Sequence, residues 1–313
     1  MRVVTTLPSA TELVAALGVQ PVGVSHECDY PPRVRALPAV TSSRVDATAS
    51  SAEIDRQVLE ADASGGVYDV DVATLDRLDP DLIVTQGVCD VCAVDASLVD
   101  RAVDRIDADP AVVTTHAHTI EEVLADVTRL GRLLGLEDRA ASVVADLEER
   151  IDAVATRTAG LPPDERPRVA VLDWTDPVMV AGHWMPELVE LAGGRYGMAE
   201  TGADSRPREW ADVRAYDPEV LVVAPCGFGL DQTAANLPDL ADLEGWDELS
   251  AVAGGRAWAM DGHHYANRPG PRLVDTLEAL GPIVRPDRFE ARPPPTVAMA
   301  LPDLLERGER ADS

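Results

Sequence analysis

Apolar residues fall in short runs separated by polar turns, and two sets of runs recur in the same order along the chain. Near the start, Arg2-Val3-Val4 leads through Leu7-Pro8-Ser9 into Glu12-Leu13-Val14-Ala15-Ala16-Leu17-Gly18. Much later, Arg168-Val169-Ala170-Val171-Leu172 leads through a loop into Glu187-Leu188-Val189-Glu190-Leu191-Ala192-Gly193. Each set predicts a β-branched strand, a polar loop and a short helix stopped by glycine. A second pair follows: Leu78-Asp79-Pro80-Asp81-Leu82-Ile83-Val84 matches Tyr216-Asp217-Pro218-Glu219-Val220-Leu221-Val222-Val223. In both, an Asp-Pro turn launches an unbroken apolar run, as a parallel strand covered on both faces requires. The repetition predicts an α/β chain of two similar doubly wound lobes, residues 1–135 and 161–285.

The stretch between them predicts helix. Val143, Leu147, Ile151 and Val154 recur every three or four residues, with Asp146, Glu148, Glu149 and Asp152 off that stripe. Continuous from Leu136 to Thr158, it would be roughly 33 Å long at 1.5 Å per residue. A helix over 136–160 as the only crossover predicts a stiff hinge, ended by Leu161-Pro162-Pro163. Residues 286–313, with Pro293-Pro294-Pro295, predict a tail laid on the surface or partly disordered.

Length supports this division, since 313 residues suit two lobes of about 100–150 residues better than one core. The charge balance narrows the partners: 55 acidic against 27 basic residues, none of them lysine, give a net charge of −28. Such a surface repels nucleic acid and anionic membranes. It fits a high-salt solvent, where carboxylate repulsion is screened within about 3 Å at 1 M. No apolar run reaches the 18 residues that suggest a membrane span. The first residues carry no basic-then-apolar leader and no lipidation cysteine, which predicts a cytoplasmic chain, or an exported one if the start codon is misassigned. A monomer is expected.

With aromatics at only 4%, their placement is informative. In open α/β sheets, ligands bind beyond the carboxyl ends of the strands. The loops expected there are 8–12, 25–32 and 86–92 in the first lobe, and 173–177, 182–186, 208–210 and 261–269 in the second. They hold four of the six histidines and three of the five tryptophans. A wide ligand, partly apolar and partly hydrogen-bonding, would use such a set.

Several residues admit more than one role. Cys89-x-x-Cys92 suits a redox dithiol, half a zinc site with Cys28, or plain loop packing and ligand contact; zinc wants four N or S ligands and no second such pair exists. Four cysteines are too few for a disulfide framework in a chain this long. His263-His264 could hydrogen-bond or stack on a ligand, or coordinate a metal. Ser9 could be a nucleophile at a strand end, but the capping box it forms with Glu12 is the favoured reading. There is no Gly-rich phosphate loop, no G-x-S-x-G elbow and no His-Glu-x-x-His, so no enzyme activity is expected and no cofactor is required.

Three segments carry a resemblance: Leu7-Pro8-Ser9-Ala10-Thr11-Glu12-Leu13, Val22 to Ser25 with Cys28-Asp29-Tyr30-Pro31-Pro32, and Arg268-Pro269-Gly270-Pro271-Arg272-Leu273-Val274. Over about residues 1–285 the chain resembles the cobalamin-binding proteins of ABC importers, in the helix-hinged class that also serves iron–siderophore and haem uptake. The resemblance implies a binding protein whose two lobes close on a corrinoid, for import through a permease or for cytoplasmic salvage. By position, it implies ligand contacts from Ser9, Asp29, Tyr30, Gln86, Cys89 and Cys92 in the first lobe. In the second it implies Trp174, Trp184, His263, His264, Tyr265 and Arg268. Asp95 and Asp212 are the nearest matches to the acids that dock such proteins on a transporter. The chain departs from the family in lacking an export signal and in carrying the Cys89/Cys92 pair. An iron-chelate or haem binder is the alternative, with only Arg206, Arg208 and Arg268 to meet an anionic siderophore. A metal-dependent enzyme or regulator on this scaffold, with metal at Cys28/Cys89/Cys92 or at the His pair, is the third.

Overall fold

The computed structural model describes residues 1–64, 66–88, 94 and 96–311, with side chains through Arg307. The chain forms two compact units. The first comprises residues 1–47, 56–147 and 269–271, the second residues 48–55, 148–268 and 272–313. Both are α/β, as the repeated strand–helix pattern predicts.

In the first unit, strands β1 (Val3–Thr5), β4 (Leu82–Gln86) and β5 (Ala111–Thr115) form a parallel sheet in the order β1-β4-β5. Strands β2 (Thr41–Ser43) and β3 (Tyr68–Val70) form an antiparallel pair. In the second unit, β6 (Arg168–Trp174), β10 (Val220–Val223) and β11 (Ala257–Met260) run parallel. Short strands extend β6: β7 (Met179–Val180) pairs with it antiparallel, β8 (Arg195–Tyr196) pairs with it parallel, and β9 (Arg206–Pro207) pairs with β7. Strands β1, β4 and β10 are wholly buried.

The duplication reaches the level of single hydrogen bonds. Asp79 and Asp217 each end a helix, Val72–Leu78 and Trp210–Tyr216, in the left-handed conformation (φ 44° and 47°). Aspartate tolerates that region better than most residues, and the proline after each prevents the helix from resuming. An arginine clamps each turn. Arg2 donates from Nε to the carbonyls of Leu78 and Asp79, and Arg168 from Nε to the carbonyl of Asp217. The backbone N–H groups of Arg2 and Arg168 donate to the carboxylates of Asp81 and Glu219, 2.6 and 3.0 Å away. Helices Pro8–Ala16 and Met185–Leu191 likewise end at Gly18 and Gly193, with φ of 84° and 88°, where glycine carries no steric penalty.

The connecting helix runs Glu137–Thr158, with Ala140, Val143, Leu147 and Val154 buried. Helix Ile120–Leu134 precedes it, and a Cβ at Gly131 would lie 2.3 Å from that of Ala140, so only glycine lets the two helices approach there. The expected tail is instead structural. Ala298–Ala300 forms β12, antiparallel to β11, and helix Leu301–Ala311 follows. Apolar Val297, Ala298, Leu301 and Leu304 are buried. The edge of β11 offers a ladder of unpaired backbone groups, and a short apolar segment after the prolines satisfies it.

Candidate functional site

Two of the first unit's candidate residues, Ser9 and Gln86, lie at the carboxyl ends of β1 and β4. Ser9 is buried near the start of helix Pro8–Ala16, but Leu7 is the cap residue, makes no side-chain cap, and Pro8 follows it. The expected capping box with Glu12 therefore does not form. Pro8 starts the helix one residue early and places Ser9 inside it, freeing its hydroxyl to donate to Gln86 Oε1 at 3.0 Å. Thr6 donates to Thr85 Oγ1 at 2.8 Å one layer below. Side-chain hydrogen bonds thus tie the loop after β1 to the end of β4.

The loop after residue 24 is fixed by a second network. Thr41 donates to Ser25 Oγ at 3.1 Å and lies 2.9 Å from His26 Nδ1, and the His26 ring tilts against Tyr68. Farther along, Asp29 is partly buried and Tyr30 is 46% exposed, a large exposed phenol in an aromatic-poor chain. Cys28 is buried beside Val24 and Val34, 2.9 Å from Thr11 Oγ1. Among the described residues it joins no cluster of three metal-ligating side chains. Its side chain packs in that small apolar cluster, and the partners of its expected zinc site are Cys89 and Cys92. Cys89, Cys92 and Asp95 lie outside the described residues.

In the second unit the loops follow β6, β10 and β11. Trp174 and Trp184, expected as ligand-facing rings, are only 9% and 5% exposed. Trp174 Nε1 donates to the Asp176 carbonyl and its ring packs 5.0 Å from Phe228. Trp184 Nε1 donates to the Ala266 carbonyl at 2.9 Å. Both indoles prop loops, because a buried N–H must find an acceptor and the neighbouring backbone supplies it.

The residues after β11 form a single π-helical turn, Gly262–Ala266, a conformation frequent at functional sites. Asp261 accepts the His264 backbone N–H at 2.7 Å and contacts the His264 ring at Nδ1, 2.8 Å away. Arg268, 4% exposed, donates to His263 Nε2 at 3.2 Å. The Arg272 guanidinium lies over the Tyr265 ring, 4.4 Å from its centroid. The π-turn therefore gathers three of the expected site residues, His263, His264 and Tyr265, into one element, with Arg268 two residues beyond its end. Asp212 lies elsewhere, exposed in the first turn of helix Trp210–Tyr216.

Two acids, the half-buried Asp173 and the buried Asp126, escaped the sequence reading as site residues. Asp173 sits where the β6–β7 register shifts between Leu172 and Trp174, a bulge that re-aims its side chain. Burial pushes its carboxyl up to about 6, against a hydrogen bond from Ser205, and its Oδ1 is buried without a partner among the described residues. Ser205 Oγ also accepts the Gly182 N–H, so the acid braces the loop that carries Trp184. One charged residue ending an apolar strand was the available signal. Asp126, buried in helix Ile120–Leu134, is also pushed up to about 6, chiefly by burial, with Arg129 and His116 opposing and Glu122 assisting.

Residues 3–262 match the family described as periplasmic binding protein. An uncharacterized ABC transporter substrate-binding lipoprotein of Bacillus subtilis is 23% identical over 295 residues, spanning 92% of this chain and 81% of the relative. A cobalamin-binding protein of Halobacterium salinarum is 25% identical over 287 residues, spanning 89% of this chain and 68% of the relative. Among solved structures, a periplasmic heme-binding protein from Pseudomonas aeruginosa aligns with a TM-score of 0.70 at 21% identity, covering 92% of this chain and 94% of that one. The periplasmic vitamin B12-binding protein of Vibrio cholerae aligns at 0.65 and 20% identity, covering 91% and 96%. These structures share the two-lobed α/β fold.

Proposed function

The chain belongs to the periplasmic binding protein family, and on that premise we propose that it is a non-catalytic carrier whose cargo is a corrinoid, handed to an ABC-type permease. The observation that carries the choice of corrinoid is the similarity to the haloarchaeal cobalamin-binding protein along nearly the whole chain. The fold alone does not choose, since structures with this fold include both haem and B12 binders.

The side chains at the strand ends suit such a cargo. A corrinoid is broad and rimmed with amides, so it needs flat apolar contact and scattered hydrogen bonds more than a charge cluster. Tyr30 offers an exposed ring, and Ser9 and Gln86 offer a hydroxyl and an amide. Tyr265 and the two imidazoles supply the rest, held on the π-turn. Arg206 and Arg208 are exposed, while Arg268 is engaged with His263 and Arg272 with Tyr265.

Calorimetric titration with cyanocobalamin and hydroxocobalamin, in molar KCl to screen the −28 charge, tests the reading. Saturable binding at about one per chain is expected. No heat from either form, with saturable hemin binding to the same folded sample, would transfer the assignment to haem.

A further inference from the structure

The two adjacent histidines after β11 are not equivalent, and the difference is written in their hydrogen bonds. A guanidinium can only donate, so the Arg268 contact at 3.2 Å makes His263 Nε2 an acceptor and leaves that ring's proton on Nδ1. An ionised carboxylate can only accept, so the Asp261 contact at 2.8 Å makes His264 Nδ1 the donor. In the neutral ring, the electron pair of His264 then resides on Nε2. This carboxylate–imidazole arrangement orients metal-ligating histidines and raises their basicity.

The turn is built to hold that ring still. The backbone N–H groups of Gly262 and His263 both donate to the Phe228 carbonyl, at 2.9 and 3.0 Å. Asn267 Nδ2 donates to the Ala224 carbonyl at 3.1 Å, and Trp184 holds Ala266. A Cβ at residue 262 would lie 2.0 Å from the Pro225 carbonyl oxygen, so the close approach requires glycine. The His263 and His264 rings meet edge-on, with centroids 4.5 Å apart. The His264 side chain is 36% exposed against 10% for that of Asp261. A buried acid thus positions a partly exposed imidazole on a rigid turn, the support that a metal-directed ligand needs.

We infer that His264 coordinates the central cobalt of the bound corrinoid through Nε2, with Asp261 as its positioning residue. The inference rests on the corrinoid reading and adds to it a selectivity: forms with an exchangeable upper ligand are retained over forms whose upper ligand is inert. The step is a ligand exchange. The Nε2 pair fills the position that water leaves, the water departs intact, and cobalt remains Co(III).

The test is an absorbance titration of aquocobalamin and of cyanocobalamin at neutral pH. With the wild-type chain, the visible bands of aquocobalamin move as binding saturates at about one per chain, and those of cyanocobalamin stay. H264A abolishes the movement, and H264Q, closer in size, does the same if the alanine variant folds poorly; the tryptophan emission of the second unit checks folding in each. D261N weakens aquocobalamin binding by roughly 10–100-fold relative to cyanocobalamin, the cost usual for losing such a carboxylate. Bound aquocobalamin with unmoved bands would overturn the ligation while leaving the corrinoid reading intact. Movement that survives in H264A but is lost in H263A would overturn it by reassigning the ligand. If neither cobalamin binds, the corrinoid reading falls and the ligation with it.

Discussion

Replacing Asp173 with asparagine should change how stability depends on pH, with a sign and size that the structure supplies. The Asp173 carboxyl is pushed from 3.8 up to about 6 by burial. A carboxyl raised in the folded state binds its proton more tightly there than in the unfolded chain. Its contribution to stability is therefore fully present below pH 3.8 and is lost as pH rises through 6. The full amplitude is about 3 kcal/mol, a shift of roughly two units at 1.36 kcal/mol each. About 1.4 kcal/mol of it falls between pH 5 and 7.5, clear of the isoelectric point near 4.4. D173N cannot titrate, and whatever its amide costs at the unpartnered Oδ1 position is the same at every pH. The stability difference, variant minus wild type, should thus move in favour of the variant by about 1.4 kcal/mol across that window. Urea unfolding followed by tryptophan emission measures it, in constant molar KCl. All five tryptophans, Trp174, Trp184, Trp210, Trp246 and Trp258, lie in the second unit, so the signal reports the unit that contains the acid. A difference that stays flat from pH 5 to 7.5 would refute the claim that desolvation raises the Asp173 carboxyl in the folded state.

Other substitutions and conditions test separate parts of the structure. D126N should show the same sign and a similar pH window, from a carboxyl pushed up to about 6; the first unit has no tryptophan, so amide hydrogen exchange in helix Ile120–Leu134 is the readout. G262A should destabilise the second unit by about 1–3 kcal/mol in urea unfolding, because the added methyl meets the Pro225 carbonyl at 2.0 Å and the π-turn must shift; wild-type stability would mean that the turn is not close-packed. Raising KCl from 0.1 to 1 M should raise the melting temperature, since it shortens the screening length from about 10 to 3 Å around a net charge of −28; a melting temperature that falls with KCl would contradict self-repulsion as a main destabilising force.

Much of the architecture was legible because its signals are local. Asp79-Pro80 and Asp217-Pro218 end helices and begin strands through backbone conformations that the two residue types dictate by themselves. The apolar runs that follow are long enough only for buried parallel strands. The connecting helix was readable from its own stripe of Val143, Leu147 and Val154. Misreadings arose where a partner distant in sequence decides the outcome. Ala298–Ala300 becomes a strand only because β11 has an open edge, and nothing within three alanine-rich residues announces it. Ser9 looked like a helix cap, yet proline at position 8 starts the helix before it and turns the hydroxyl to Gln86, 77 residues away.

The same division runs through the candidate site. By itself the sequence determined which loops hold scarce imidazoles, indoles and phenols, because strand-end loops follow from strand order. Only the tertiary structure decided what each group is free to do. Trp174 and Trp184 are props because buried indole N–H groups must find acceptors, and those acceptors, the Asp176 and Ala266 carbonyls, are positioned by the fold. His263 and His264 are identical and adjacent as letters. They differ because Arg268 can only donate and Asp261 can only accept, and which ring nitrogen meets which partner is settled by the geometry of the turn.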